Sequence, residues 1–245
     1  MKNILVFSFW VYLLPFVSVG QTYPEVVVEK KKSEVDENNQ TFLHGKQFLY
    51  QGEFSSALEA SDTAFLLVVL DPKKRTNKRQ TEILYVPQPM KNAIFTTGVV
   101  ENEYNLWLHP PRFGVFRALE TCPFPYLRFP LEEGKSWTDK MSISDQWSDP
   151  KWGVWEGRLM LEYTYGVRKP ETIKTPLGRK KCTVVMATAD SEIGTTTLKM
   201  YFHPDYGFLR LEYSLASDDV IILTLQEVKE GRVYKGGIEF LNGER

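Results

Sequence analysis

Between Trp155 and Tyr165 the chain alternates in polarity. Trp155, Leu159, Leu161, Tyr163 and Tyr165 fall on one face, and Glu156, Arg158, Glu162 and Thr164 on the other. A period of two is the pattern of a half-buried strand with one wet face, and Met160 is its exception. Runs rich in Phe, Leu, Val, Ile, Tyr and Thr predict further strands over Cys182–Ala189, Thr195–Phe202, Phe208–Tyr213 and Val220–Val228. The links between them are short and carry Gly, Asp or Ser, as antiparallel hairpins require. In the first half the expected strands are Gln47–Phe54, Ala64–Leu70, Thr81–Val86, Ala93–Thr97, Tyr104–Leu108 and Gly114–Glu120. Asp71-Pro72, Pro87-Gln88-Pro89 and His109-Pro110-Pro111 punctuate them, because proline cannot donate to a sheet ladder. Gly52 to Ala60 also reads as one short helix, since Phe54, Ala57 and Leu58 are roughly helically spaced.

No long helical period alternates with the strands, which argues against a parallel α/β fold. No repeat recurs at a period of about 20–50 residues, which argues against a propeller or solenoid. The expectation is therefore an all-β fold with minor α content. Residues 42–230 form a single strongly curved antiparallel sheet, an open or half-closed β-barrel, and residues 231–245 form a C-terminal tail. A cupped sheet has one concave apolar face that a helix, a folded-over segment or a ligand must fill.

The start of the chain has a different texture. Met1-Lys2 is followed by an apolar run from Ile4 to Val17, and Ser18 and Gly20 are small residues at the spacing of a signal-peptidase site. The run is shorter than the roughly 20 apolar residues that span a bilayer. Residues 1–20 read as a signal peptide cleaved near Gly20–Gln21, which predicts a secreted or periplasmic protein with no transmembrane segment after cleavage. No cysteine follows the run, so a lipid-attachment site is missing. Residues 21–41 read as a mobile N-terminal arm, because Glu29 to Gln40 is charged and amide-rich with one apolar residue.

Composition narrows the classes of partner. With 30 basic and 31 acidic residues the chain has no electrostatic footprint for nucleic acid. Hydrophobic residues make up 42% and aromatics 13%, enough for a core without a dense disulfide framework. The two cysteines, Cys122 and Cys182, either pair in an oxidising compartment or stay as buried thiols.

The turn signatures also carry a likeness. Pro130-Leu131-x-x-Gly134-Lys135-x-Trp137, Thr175-Pro176-Leu177-Gly178-x-x-x-Cys182 and Tyr201-Phe202-x-x-x-Tyr206-Gly207-Phe208 resemble secreted and periplasmic half-barrel domains of unknown function, of the Bacteroidetes type. Those domains are similar in architecture to the carrier of outer-membrane lipoproteins (LolA-like). The resemblance covers about residues 100–228. It implies a non-enzymatic, envelope-associated role with lipid or other apolar ligand binding, and it carries over no catalytic residue.

Candidate chemistry is sparse. Trp137, Trp147, Trp152 and Trp155 lie close together. Trp137 and Trp155 read as core. Trp147 and Trp152 sit among Asp145, Ser148, Asp149, Pro150, Lys151 and Gly153, a polar turn-rich loop, so they are expected to be exposed and are the candidate ligand-binding residues. His44, His109 and His203 are far apart, unlike a zinc site, and read as turn or surface residues. His203 with Asp205 could pair as a base and its orienter, but no nucleophile accompanies them. Glu132-Glu133, Asp218-Asp219 and the basic run Lys73–Arg79 read as solvated turns. Asn39-Gln40-Thr41 fits an N-glycosylation acceptor, and Asp62-Thr63-Ala64 a bacterial O-glycosylation site. No nucleophile elbow, phosphate loop or metalloprotease motif occurs.

The sequence thus predicts a non-enzymatic protein without cofactor, metal site or catalytic residue; a hydrolase is the less favoured class. Its first expected function is to bind or carry a lipid-like ligand in the concave face. The alternative is a cell-envelope glycan- or protein-interaction module that uses Trp147 and Trp152.

Overall fold

The computed structural model describes residues 40–55, 58, 63–74, 79–89 and 93–243. The expected signal peptide, most of the N-terminal arm, Asn39, Asp62 and the middle of the basic run lie outside these residues. Twelve strands form one antiparallel sheet: β1 (Lys46–Phe54), β2 (Ala64–Val69), β3 (Thr81–Gln88), β4 (Phe95–Glu101), β5 (Asn105–Leu108), β6 (Tyr126–Arg128), β7 (Ser136–Ser144), β8 (Arg158–Thr175), β9 (Gly178–Ser191), β10 (Gly194–His203), β11 (Gly207–Ser214) and β12 (Val220–Glu230). Each strand pairs with its sequence neighbour except β6 and β7, and β1 pairs with β12, Lys46 opposite Glu230.

The sheet is therefore a ring with one seam. β6 and β7 are its edges, and the Phe129–Lys135 link joins them. Rings bridge the seam: Tyr126 of β6 lies 6.1 Å from Trp137 of β7, and Trp137 stacks on Tyr165 of β8 at 5.4 Å. Lys135 Nζ donates to the carbonyls of Phe129 and Pro130 across the link. This is the strongly curved, nearly closed antiparallel sheet that the alternation predicts.

Period two holds along β8, where Leu159, Leu161, Tyr163, Tyr165 and Val167 are buried between exposed neighbours and Met160 points out. The hairpin turns follow their sequence signatures. Gly207 has φ +76, and a Cβ there would meet Thr41 Cγ2 at 3.0 Å, so both its conformation and its space call for glycine.

The cup is not empty. The connection from β5 to β6, residues 109–125, leaves the wall at one end of the barrel, crosses the interior and returns to the same end. Gly114–Glu120, expected as a strand, is instead part of a 3-10 helix, Gly114–Thr121. Phe113, Phe116 and Leu119 are buried at spacing three, the period of that helix, so three apolar side chains leave it on one side. Phe116 packs edge-on against Phe65 at 5.3 Å, and Phe113 lies edge-on to Phe65 at 6.2 Å and stacks on Phe95 at 5.0 Å. Barrel side chains tie down its backbone. Tyr85 Oη donates to the His109 carbonyl at 2.5 Å, Tyr165 Oη to Phe124 at 3.0 Å, and Thr196 Oγ1 to Thr121 at 2.9 Å. These bonds satisfy carbonyls that a crossing segment would otherwise leave dry and unpaired.

Other departures from the sequence reading are local. β6 and β7 were not anticipated; inward-facing Asp139 interrupts the apolar face of β7. Gly52 to Phe54 belong to β1, not to a helix. The tail is structured over Gly237–Gly243 as helix α1, and Tyr234 and Phe240 cover Val68, Leu70, Leu84 and Val86 outside the barrel. Gln40 and Thr41 are anchored, since Glu101 accepts from the Thr41 and Phe42 N–H groups at 2.8 Å each.

Phe116 has no exposed surface and fills the centre of the segment. Phe116→Ala should therefore lower unfolding free energy by about 3–5 kcal/mol, read from the midpoint of a urea transition. A loss below about 1 kcal/mol would show that the crossing segment does not support the barrel.

Candidate functional site

The crossing segment carries charge as well as rings. Glu120 is fully buried, and its Oε1 accepts from Arg112 Nε at 2.8 Å. Arg112 Nη2 is also hydrogen-bonded to His109 Nε2, and His109 Nδ1 lies 2.8 Å from the Pro110 carbonyl. A carbonyl only accepts and a guanidinium only donates, so Nδ1 carries the hydrogen and Nε2 is the acceptor. His109 is thus neutral, and its 3.6 Å approach to Glu120 is not an ion pair. Burial, reinforced by the Arg112 charge, holds His109 well below its ordinary pKa. Burial pushes Glu120 the other way, up to about 7, with Arg112 offsetting part of the rise. The second carboxylate oxygen of Glu120 has no hydrogen-bond partner.

Trp147 closes this cluster toward the surface. It ends a short 3-10 turn, Asp145–Trp147, after β7, and the guanidinium carbons of Arg112 and Arg117 each lie 5.4 Å from its ring centre. Arg117 Nη2 donates to the Gln146 carbonyl at 2.9 Å. Trp147 is half-buried and Trp152 only 5% exposed, with Trp152 Nε1 donating to the Trp147 carbonyl at 2.9 Å. The expected pair of exposed indoles is therefore corrected: the polar loop folds back on itself and uses Trp152 as its own core.

The remaining sequence candidates do not converge. Cys122 and Cys182 are separate buried thiols, not a disulfide, and burial pushes them up to about 12 and about 11, so neither is a ready thiolate. His203 Nδ1 accepts from the Asp205 N–H, a turn contact, and stands 3.8 Å from the exposed Asp205 carboxylate. Among the described residues no three His, Cys, Asp or Glu side chains converge as a metal site.

Beside the crossing segment the interior keeps a void of about 10 Å³, lined by Tyr50, Phe65, Tyr85, Pro111 and Tyr213 among others. That is room for about one water molecule, not for an acyl chain. The protein's own residues 109–125 occupy part of the concave face in which the sequence reading expects a ligand. A cleft of about 290 Å³ near Gln40, His44 and Glu101 opens to solvent, and the Glu101 carboxylate in it is occupied by the chain entering β1.

Sequence reasoning passed over Arg112 and Glu120. The available signal was their position, since with Arg117 they are the three charged residues of the largely apolar, proline-rich stretch Pro110–Pro125. His109 was read as a turn residue and is in fact buried.

Because Trp152 is core, Trp152→Ala should cost about 3–5 kcal/mol of stability, measured by urea unfolding. Near-wild-type stability would return the indole to the surface.

No protein-family model matches the chain, and no curated protein matches it. Solved structures similar in fold include a protein from Bacteroides fragilis described as exported, with a YmcC-like fold. It is 13% identical, with a TM-score of 0.48 over 76% of this chain and 96% of its own. A protein from Parabacteroides distasonis described as a lipoprotein is 14% identical, with a TM-score of 0.45 over 78% and 97%. The hypothetical lipoprotein YmcC from Escherichia coli is 13% identical, with a TM-score of 0.37 over 77% and 89%. Among the described residues of this chain, no helix is long and apolar enough to cross a membrane.

Proposed function

We propose that the protein is an exported, non-enzymatic module of the cell envelope that acts through its outer surface. The observation that carries this reading is the interior beside residues 109–125, where the cavity lined by Tyr50, Phe65, Tyr85 and Tyr213 holds about 10 Å³. A carrier must have somewhere to put its cargo, and a lipid would have to expel a segment held by Phe113, Phe116, Leu119 and three wall hydrogen bonds. Export rests on the apolar run Ile4–Val17 and the small residues before Gln21.

Chemistry at the charged cluster is also disfavoured. His109 is a neutral acceptor already engaged by Arg112, and burial pushes the Cys122 and Cys182 thiols up to about 12 and about 11, away from the thiolate a nucleophile needs. A glycan stacked on Trp147 would compete with two guanidinium groups for the indole faces. Partners are therefore sought on the barrel exterior, among envelope proteins or glycans.

Native mass spectrometry of protein extracted gently from its source should show the bare chain, and a fluorescent fatty acid should find no saturable site. One lipid retained per chain, or stoichiometric displacement, would overturn this reading in favour of a carrier.

A further inference from the structure

We propose that the ribbon formed by the ends of β8 and β9 docks on an anionic lipid surface through Lys174, Arg179 and Lys181. The inference rests on the reading of the protein as an envelope module that acts through its outer surface, and it names the partner of one part of that surface. β7 pairs with β8 only as far as Gly166, opposite Ser136, and β10 pairs with β9 only as far as Thr183, opposite Phe202. Beyond those limits β8 and β9 pair only with each other, from Glu171 opposite Cys182 to Thr175 opposite Gly178. A two-stranded ribbon therefore stands past both neighbouring strands at one end of the barrel.

A bare ribbon of two strands is marginally stable in water, and one face of this ribbon is packed. Ile173, with Leu177 at the turn, is half-buried against the core, and Thr175 Oγ1 donates to the Gly178 carbonyl at 2.9 Å, which ties the turn. Lys180 Nζ donates to Tyr206 Oη at 3.2 Å, and Lys199 Nζ stands 2.9 Å from Glu171. Cross-strand partners share a face, and faces alternate along each strand. Thr172, Lys174, Arg179 and Lys181 thus make up the opposite face, and all four are exposed.

That face carries one sign of charge. Lys174 lies directly opposite Arg179, and Lys181 follows on the same face opposite Thr172. Among the described residues no carboxylate pairs with any of the three cations. Glu171 is taken by Lys199 on the packed face, and the Asp205 carboxylate stands 3.8 Å from His203 Nδ1 in the turn before Tyr206. Glu132 and Glu133 precede Gly134, whose N–H donates to the Val167 carbonyl at the base of the ribbon, away from its tip. Like charges directly opposite each other in a sheet destabilise it. A face that had only to keep the ribbon in solution would mix the signs. A polyanion from outside relieves the repulsion.

Two features favour a lipid surface over a glycan. No aromatic ring stands on this face, so a sugar finds nothing to stack on. Two of the three cations are lysines, and an ammonium is a point charge that needs no matched acceptor geometry. That suits mobile headgroups, which gather beneath whatever spacing the cations have.

Sedimentation with vesicles tests the proposal. The purified protein should bind vesicles of phosphatidylcholine and phosphatidylglycerol in equal parts, ignore vesicles of phosphatidylcholine alone, and come off as salt is added. Each cation near an anionic leaflet strengthens binding about fivefold, so Lys174→Gln, Arg179→Gln and Lys181→Gln together should weaken it about a hundredfold. The urea midpoint of that triple variant should equal or exceed that of wild type, because a like-charge pair is removed from an exposed face. Lys140→Gln, Lys151→Gln and Arg158→Gln together remove the same charge from exposed positions away from the ribbon and should bind as wild type does. Equal binding to both kinds of vesicle would overturn the proposal, as would equal loss in the two triple variants. Wild-type protein that binds heparin and not the anionic vesicles would overturn it in favour of a glycan. These outcomes leave the outer-surface reading standing, whereas a saturable fatty-acid site overturns that reading and leaves the vesicle result as it is.

Discussion

A twelve-stranded ring encloses more space than its own side chains can fill, and the rest of this structure answers that constraint. About eight strands make a barrel whose inward residues just meet; every further strand widens the lumen. A dry void of that size would forfeit dispersion contacts along all its walls. This chain fills it with residues 109–125, and the choice of a backbone segment creates a second requirement, because its carbonyls need partners away from water. Tyr85, Tyr165 and Thr196 are inward-facing wall residues that supply them. Tyr50, Tyr85 and Tyr165, buried on the inner face, each donate a hydroxyl hydrogen bond to a backbone carbonyl.

Filling the lumen with peptide also brings polar side chains into it. Glu120, Arg112 and His109 are tolerable there only as a set, since an isolated buried charge would cost far more than any one of these contacts returns. Their arrangement fixes the histidine tautomer and places Arg112 against Trp147, as Arg117 is. Charge, ring packing and backbone pairing thus meet on seventeen consecutive residues, 109–125, that belong to no strand.

The wall was legible in the sequence and the filling was not. Along β8 each residue meets either the interior or water, so polarity alternates and the period declares the strand. In residues 109–125 polar and charged side chains are buried beside apolar ones, Glu120 and Thr121 among them, so polarity does not mark the buried side and Gly114–Glu120 passes for another strand. Its three-residue spacing of Phe113, Phe116 and Leu119 is visible only once a 3-10 helix is considered. β7 was hidden for the reverse reason: Asp139 points inward near Arg128 and breaks an otherwise regular face. Trp152 misled because composition reports a loop's solvent contact, not the side chain that holds the loop together. The two cysteines allowed two outcomes, and only their separate placements decide between them.

The pairing of β1 with β12 sets the order in which the barrel can be made. Every other pairing in the ring joins strands that are neighbours in sequence and needs only a local loop to close, with the longest excursion at residues 109–125. Lys46 meets Glu230 only after almost the whole chain exists, and the entropy of closing so long a loop must be met at that step. Until then the chain is two open six-stranded halves, one hinged to the other at the Phe129–Lys135 link, each with its apolar face uncovered. During synthesis the N-terminal half waits for its partner, and the period of greatest vulnerability to aggregation ends with the arrival of the last strand.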